Sequence, residues 1–170
     1  MTELLKTSRF SVEKIDYPGD PDRAVIRHPG AVVLLPILSD GRICLIRNYR
    51  VSIAQTLLEL PAGTLEPGEP PLQTAHRELA EETGYTAGKM KLLRTFFPSP
   101  GILDEKMYLY LATQLMDGPP SREAGEQIEN VVLSFEDAIA LVDECKIVDA
   151  KTIVGLLLLQ RDIDAGRSPS

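Results

Sequence analysis

Residues 31–38 read AVVLLPIL, a continuous apolar run rich in β-branched side chains. A run with no polar face predicts a central strand, buried rather than half-solvated. Ser39-Asp40-Gly41 follows as a hairpin turn signal, so residues 42–50 (RICLIRNYR) are expected to form the returning strand. Upstream, residues 8–16 alternate apolar and polar with a two-residue period, which predicts a half-buried strand. A short second strand is expected at 24–27. Residues 51–69 hold Pro61, Gly63, Pro67 and Gly68 and are expected to be mostly loop.

Pro70-Pro71 suits a first helical turn, whose N–H groups lack intrahelical partners, and Gly84 suits the C′ position. A helix is therefore predicted over about 71–83. Strands follow at about 89–97, 106–114 and 130–133. Ser134 resembles an N-cap for a helix to about 145, and Asp149 starts a last helix to about 161. This order predicts an α/β domain with helices packed on mixed strands. Residues 1–28 form an N-terminal antiparallel strand extension, 29–165 the main domain and 166–170 a flexible tail.

The 170 residues suffice for one domain with its own core, and 44% hydrophobic with 25% charged residues is globular composition. A net charge of -7 and the lack of a Lys/Arg cluster argue against nucleic acid or an acidic membrane as partner. Neither a signal-peptide core nor a membrane-spanning run is found, so a cytoplasmic location is expected. Cys44 and Cys145, without CxxC spacing, are expected to be reduced packing residues. His28 and His76 are expected in structural or surface roles.

The segment at 63–85, GTLEPGEPPLQTAHRELAEETGY, gathers Glu78, Glu81 and Glu82 at the end of the first helix. At ~100° per residue, Leu72, Ala75 and Leu79 fall within ~60° of one another and form an apolar stripe. Glu82 lies ~20° from Ala75, Glu78 ~60° and Glu81 ~120°, so the acids adjoin the buried face. They also sit at the negative end of the helix dipole, at a cost of ~0.3–1 kcal/mol each. Glu78 and Glu82 are an i,i+4 like-charge pair, which adds a few tenths. A divalent cation held by Glu78 and Glu82 reverses that balance, because hard cations take carboxylate oxygens.

The segment resembles the Nudix box, G-x5-E-x7-R-E-U-x-E-E-x-G-U with U a bulky apolar residue. Gly63, Glu69, Arg77, Glu78, Leu79, Glu81, Glu82 and Gly84 match at the required spacing, and Tyr85 places an aromatic residue at the last U. The resemblance implies a Nudix fold, a mixed β-sheet sandwiched between helices (α/β/α). It also implies a Mg²⁺- or Mn²⁺-dependent hydrolase of a nucleoside diphosphate linked to another group. By that resemblance Glu78 and Glu82 are metal ligands, Glu81 contributes directly or through water, and the Ala62 carbonyl joins them. Arg77 and Glu69 orient the ligands from behind.

LIRNYR followed by LLELPAG resembles the ADP-ribose pyrophosphatase branch, with Asn48 where Gln is usual. That implies a phosphate contact for Arg50, and for Glu59 either a metal or substrate role or a salt bridge. Pro100 stands sixteen residues beyond Gly84 (100 − 84), as the branch's proline does. Ser99, Pro100 and Gly101, with Glu105, resemble its substrate-contacting loop, which reaches the neighbouring subunit's site. In REAGEQIEN, residues 122–130, Glu126 aligns best with the branch's general base or additional metal ligand, and Glu123 is the alternative. The implied activity is hydrolysis of ADP-ribose, or a similar nucleoside diphosphate sugar, to AMP and a sugar phosphate by a homodimer. Another sugar nucleotide such as GDP-mannose, or a non-catalytic nucleotide-sugar-binding module, is the alternative. The stripe of Ile153, Leu156 and Leu157 is expected in the core or at a dimer contact.

Overall fold

The computed structural model describes residues 1–121 and 128–167. Ten strands and three helices follow one another among them. The strands are β1 (Thr2–Lys6), β2 (Ser11–Lys14), β3 (Ala24–Arg27), β4 (Ala31–Pro36), β5 (Ile43–Arg50), β6 (Gln55–Glu59) and β7 (Ala62–Thr64). Helix α1 (Pro71–Thr83) precedes β8 (Thr86–Phe96), β9 (Met107–Met116) and β10 (Ile128–Leu133), and α2 (Phe135–Asp143) and α3 (Ala150–Asp164) close the chain.

Strand β4 is buried at all six positions and lies between β7 and β9 in a sheet of order β7-β4-β9-β8. It runs parallel to β9 and antiparallel to β7. Alternate residues supply two cores, as the two-residue strand period requires. Val32 and Leu34 pack with Ala75 and Leu79 of α1. Val33 and Leu35 pack with Leu45, Leu60, Ala138, Ile147 and Leu156, bringing in the second sheet, α2 and α3. Helices thus cover both sides of the strands, in the α/β/α arrangement expected.

The expected β4–β5 hairpin does not form as one. The turn closes through Leu38 N–H donating to Arg42 O at 2.8 Å and a single bridge between Ile37 and Ile43. Beyond it β5 leaves for a separate sheet of order β10-β5-β6. A turn signal reports local chain reversal, whereas the pairing partner is chosen by distant strands. Residues 51–69 are mostly loop as expected, but two short strands that were not expected interrupt them. Leu57 and Leu58 pair with Asn48 and Arg47 in β6, and Ala62 and Gly63 pair with Val33 and Val32 in β7. Pro61 separates the two strands and leaves each with a partner.

The N-terminal residues form a three-stranded antiparallel sheet, β1-β2-β3. Strand β1 lies outside the 8–16 segment expected to be extended, and all its residues are exposed. Loop 97–106 docks on β3 through Ile26 N–H to Ile102 O at 2.8 Å and Asp104 N–H to Ile26 O at 3.1 Å. Ser134 and Asp149 cap α2 and α3 by accepting N–H bonds from Asp137 and Thr152. Of the two free cysteines, Cys44 is buried but Cys145 is exposed, with φ 56° where the chain leaves α2. Its role is therefore not packing. In the α3 stripe Leu156 is fully buried, while Leu157 is half exposed.

Candidate functional site

Helix α1 begins at Pro71 and ends at Gly84, whose φ of 81° is the left-handed value that glycine adopts without a Cβ clash. Its buried residues are Thr74, Ala75, Leu79, Glu82 and Thr83. Leu72, placed in the apolar stripe by angle, is instead exposed, although Thr74 in the same turn is buried. Glu82 is 4% exposed. Its Oε2 accepts the Ala62 N–H at 2.9 Å, tying the end of α1 to the start of β7.

Arg77 links the remaining acids. Its Nε and Nη2 donate to the Glu69 carboxylate at 3.1 and 2.9 Å, and Nη1 donates to Glu78 Oε1 at 2.7 Å and Glu81 Oε2 at 2.9 Å. Gly63 matters by contact rather than by torsion, since a Cβ there would overlap the Glu78 carboxylate.

Arg77 is held protonated first by its bonds to Glu69. Glu69 is in turn pulled down to about 2, chiefly by Arg77 and then by the Thr74 side chain and the Glu66 backbone. A carboxylate whose folded pKa lies below its unfolded value adds stability that is present above the unfolded pKa, near 4.3. That stability is lost as pH falls toward 2. In the metal-free protein, an NMR titration should place Glu69 near the low end of that window, and Arg77→Met should return it to the ordinary carboxylate range. A Glu69 midpoint near 4 with Arg77 intact would contradict the pairing.

Glu78, Glu81, Glu82, Ala62, Arg50 and Arg77 all line one cavity of about 640 Å³. The same cavity has cationic lining residues that the sequence did not single out: Lys6 of β1, Arg9 between β1 and β2, and Arg27 of β3, together with Phe10 and His28. Arg27 itself is held by Glu13 at 2.9 Å and Asp104 at 3.0 Å. Nothing in the local sequence marks these residues, because only the fold of the first sheet carries them to the glutamates.

Arg50 donates from Nε and Nη2 to both oxygens of Glu59, at 2.7 and 2.6 Å. That fork holds its guanidinium charged. Glu59 is in a strand and fully buried. Ser99, Pro100 and Gly101 are exposed and do not line the cavity. Glu105 reaches it only by way of His28, whose Nδ1 lies 3.4 Å from Glu105 Oε1 and accepts the Gly30 N–H. Glu123 and Glu126 lie outside the described residues. The flanks of their segment are nonetheless tied to the end of α1, where Ser121 N–H donates to Glu81 O at 3.1 Å and Asn130 Nδ2 to Thr83 O at 2.8 Å.

Among the described residues no three carboxylate, imidazole or thiol groups converge as metal ligands do, because Glu78 and Glu81 turn onto Arg77. The donor set still suits a hard divalent cation: Glu78, Glu81 and Glu82 line one cavity with Ala62, whose carbonyl would add a further oxygen donor. Glycine at 63 leaves room for Glu78 beside β7.

Comparison with known proteins agrees with this geometry. The family model described as NUDIX domain matches residues 26–153. An ADP-ribose pyrophosphatase of Bacillus subtilis (strain 168) is 39% identical over 88% of this chain and 83% of its own length. A GDP-mannose pyrophosphatase of Yersinia pestis (strain Pestoides F) is 36% identical over 93% of this chain and 88% of its own. The crystal structure of an ADP compounds hydrolase superposes with a TM-score of 0.81 at 25% identity, covering 98% of this chain and 93% of that one. With a matched box, a matched fold and acids gathered on one cavity, the chain belongs to the Nudix family and is a Nudix hydrolase.

Proposed function

We propose that this enzyme hydrolyses the pyrophosphate bond of ADP-ribose, or a related nucleoside diphosphate sugar, to AMP and a sugar phosphate. The observation that carries the reading is the mixed lining of one cavity, where Glu78, Glu81 and Glu82 stand together with Lys6, Arg9 and Arg50. A diphosphate carries charge that repels a nucleophile, and such a cavity can neutralise it with a metal held by the glutamates and with its own cations. Nudix hydrolases generally use divalent metal ions, and Mg²⁺ or Mn²⁺ fits this all-oxygen donor set. When bound, the metal supplies charge neutralisation and a more acidic water.

Glu78 and Glu82 are the ligands, with the Ala62 carbonyl, and Glu81 contributes directly or through water. Glu69 and Arg77 hold the ligands' orientation. The Arg50 fork to Glu59 uses two of its five N–H donors, and the remaining ones can take a phosphate oxygen. The general base is Glu126, with Glu123 the alternative. Both flanks of that segment are bonded beside Glu81 and Glu82, which supports this placement.

The partner is a second copy of the chain. Leu4, Leu5, Phe97 and Ile102 are exposed on the N-terminal sheet and the loop docked to it, as an interface requires. In that homodimer the Ser99-Pro100-Gly101 loop and Glu105 serve the neighbouring site. Nucleic acid is disfavoured by the net charge of -7. Among the described residues no helix is long and apolar enough to cross a membrane. Two free cysteines suit a reducing compartment such as the cytoplasm.

Release of AMP or GMP from a panel of ADP-ribose, GDP-mannose and a dinucleotide, with Mg²⁺, tests the reading. ADP-ribose should be turned over at least ~10-fold faster than the others, a difference of about 1.4 kcal/mol. Faster GDP-mannose cleavage would favour the alternative substrate, and no turnover on any would favour a binding module. For the base, Glu126→Gln or Glu123→Gln should abolish the acidic limb of the pH–rate profile. Unchanged profiles for both would remove the loop from the chemistry.

A further inference from the structure

The buried carboxylate of Glu59 is shared between two cations, one nine residues away in the chain and one ninety-two. From the cavity side it takes the Arg50 fork. From the core side its Oε2 accepts from the Lys151 ammonium in the first turn of α3. Lys151 is 8% exposed and lies 2.9 Å from Asp149 Oδ1. Asp149 caps α3, its Oδ2 accepting from Thr152 N at 3.0 Å and Thr152 Oγ1 at 2.6 Å. Thr152 Oγ1 then accepts the Leu60 N–H at 2.7 Å, so the same turn that supplies Lys151 also pins the residue after Glu59.

Charges alternate along Asp149, Lys151, Glu59 and Arg50, two of each sign. Desolvating such a group is costly, and replacing it with apolar side chains of similar volume commonly costs a fold nothing. Its far end here is Arg50, which lines the substrate cavity. If Glu59 faced Arg50 alone, it would cancel most of the guanidinium charge presented to a phosphate. A second cation on Glu59 leaves more of that charge directed at the cavity and locks the fork's orientation in advance of binding.

We propose that Lys151 is a positioning residue for the hydrolysis, holding Arg50 at the substrate cavity through Glu59. The inference rests on the reading of Arg50 as a phosphate contact. It assigns helix α3, which contributes nothing to the cavity wall, a part in substrate binding.

A double-mutant cycle of Lys151→Met and Arg50→Gln tests it, with kcat and KM measured on the nucleoside diphosphate sugar that the wild type hydrolyses fastest and folding followed by circular dichroism. Lys151→Met should raise KM about tenfold with kcat changed less than about threefold, the pattern of lost uniform binding. In the Arg50→Gln background the same change should move KM by less than about twofold, because coupled residues are not additive. A native KM in folded Lys151→Met, or equal KM effects in both backgrounds, would overturn the proposal while leaving Arg50 as a phosphate contact. An unchanged KM in Arg50→Gln alone would overturn both. Should Lys151→Met not fold, Glu59→Gln/Lys151→Met removes both buried charges. It should match the KM of Arg50→Gln, and a native KM in that protein refutes the role.

Discussion

Glu82→Gln is expected to lower kcat by on the order of a thousandfold while leaving the protein folded. The two halves of this expectation come from the two things that Glu82 does. Its Oε2 accepts the Ala62 N–H, and a glutamine oxygen can still do so, which keeps α1 tied to β7. What the amide cannot supply is the negative charge and second oxygen that a hard cation needs. A metal's share of transition-state stabilisation is several kcal/mol. At about 1.4 kcal/mol per factor of ten, losing most of it costs about three decades. Steady-state kinetics over a Mg²⁺ series, with a thermal melt on the same sample, separates the effects. Near-normal Mg²⁺-dependent turnover would remove Glu82 from the metal site.

Gly63→Ala should cost about a hundredfold in kcat/KM, the loss that ~1 Å of misplacement at a catalytic group can produce. The reason is contact: the new methyl would occupy the space of the Glu78 carboxylate. Backbone strain is not the cause, since Gly63 is absent from the positive-φ residues. Either Glu78 swings away, with loss of the cation contact proposed for it, or β7 shifts from β4, at about 1–3 kcal/mol for an overpacked site. In a Glu78→Gln background the added methyl should bring little further loss, because the group it displaces no longer serves. A Gly63→Ala enzyme within about threefold of wild type would show that Glu78 acts from a different position.

Local signals carried much of this protein. The Pro70-Pro71 start and Gly84 stop bracket α1, and Ser134 and Asp149 cap the helices they precede. Each depends on neighbours within a turn, so a short window holds the whole cause. The angular position of Glu82 beside Ala75 likewise follows from helix geometry, and both side chains are buried. Strands β6 and β7 escaped because the residues around them, Pro61, Gly63, Pro67 and Gly68, read as turn. Their pairing with β5 and β4 supplies what the local sequence does not. The turn after β4 was legible as a reversal but not as a crossing between sheets.

The sequence alone determined the chemistry of the glutamate helix: its length, its ends, and the carboxylates at its C-terminal end beside the buried face. It determined these because helix period and caps are set by residues a few positions apart. Only the tertiary structure decided what faces those carboxylates. The cationic lining residues Lys6, Arg9 and Arg27 arrive with an N-terminal sheet, and Lys151 meets Glu59 across 92 positions of chain. No local rule encodes such contacts. They exist because burying both faces of β4 draws α3 and the second sheet together, and a buried carboxylate brought there must be matched by whatever cations the packing delivers.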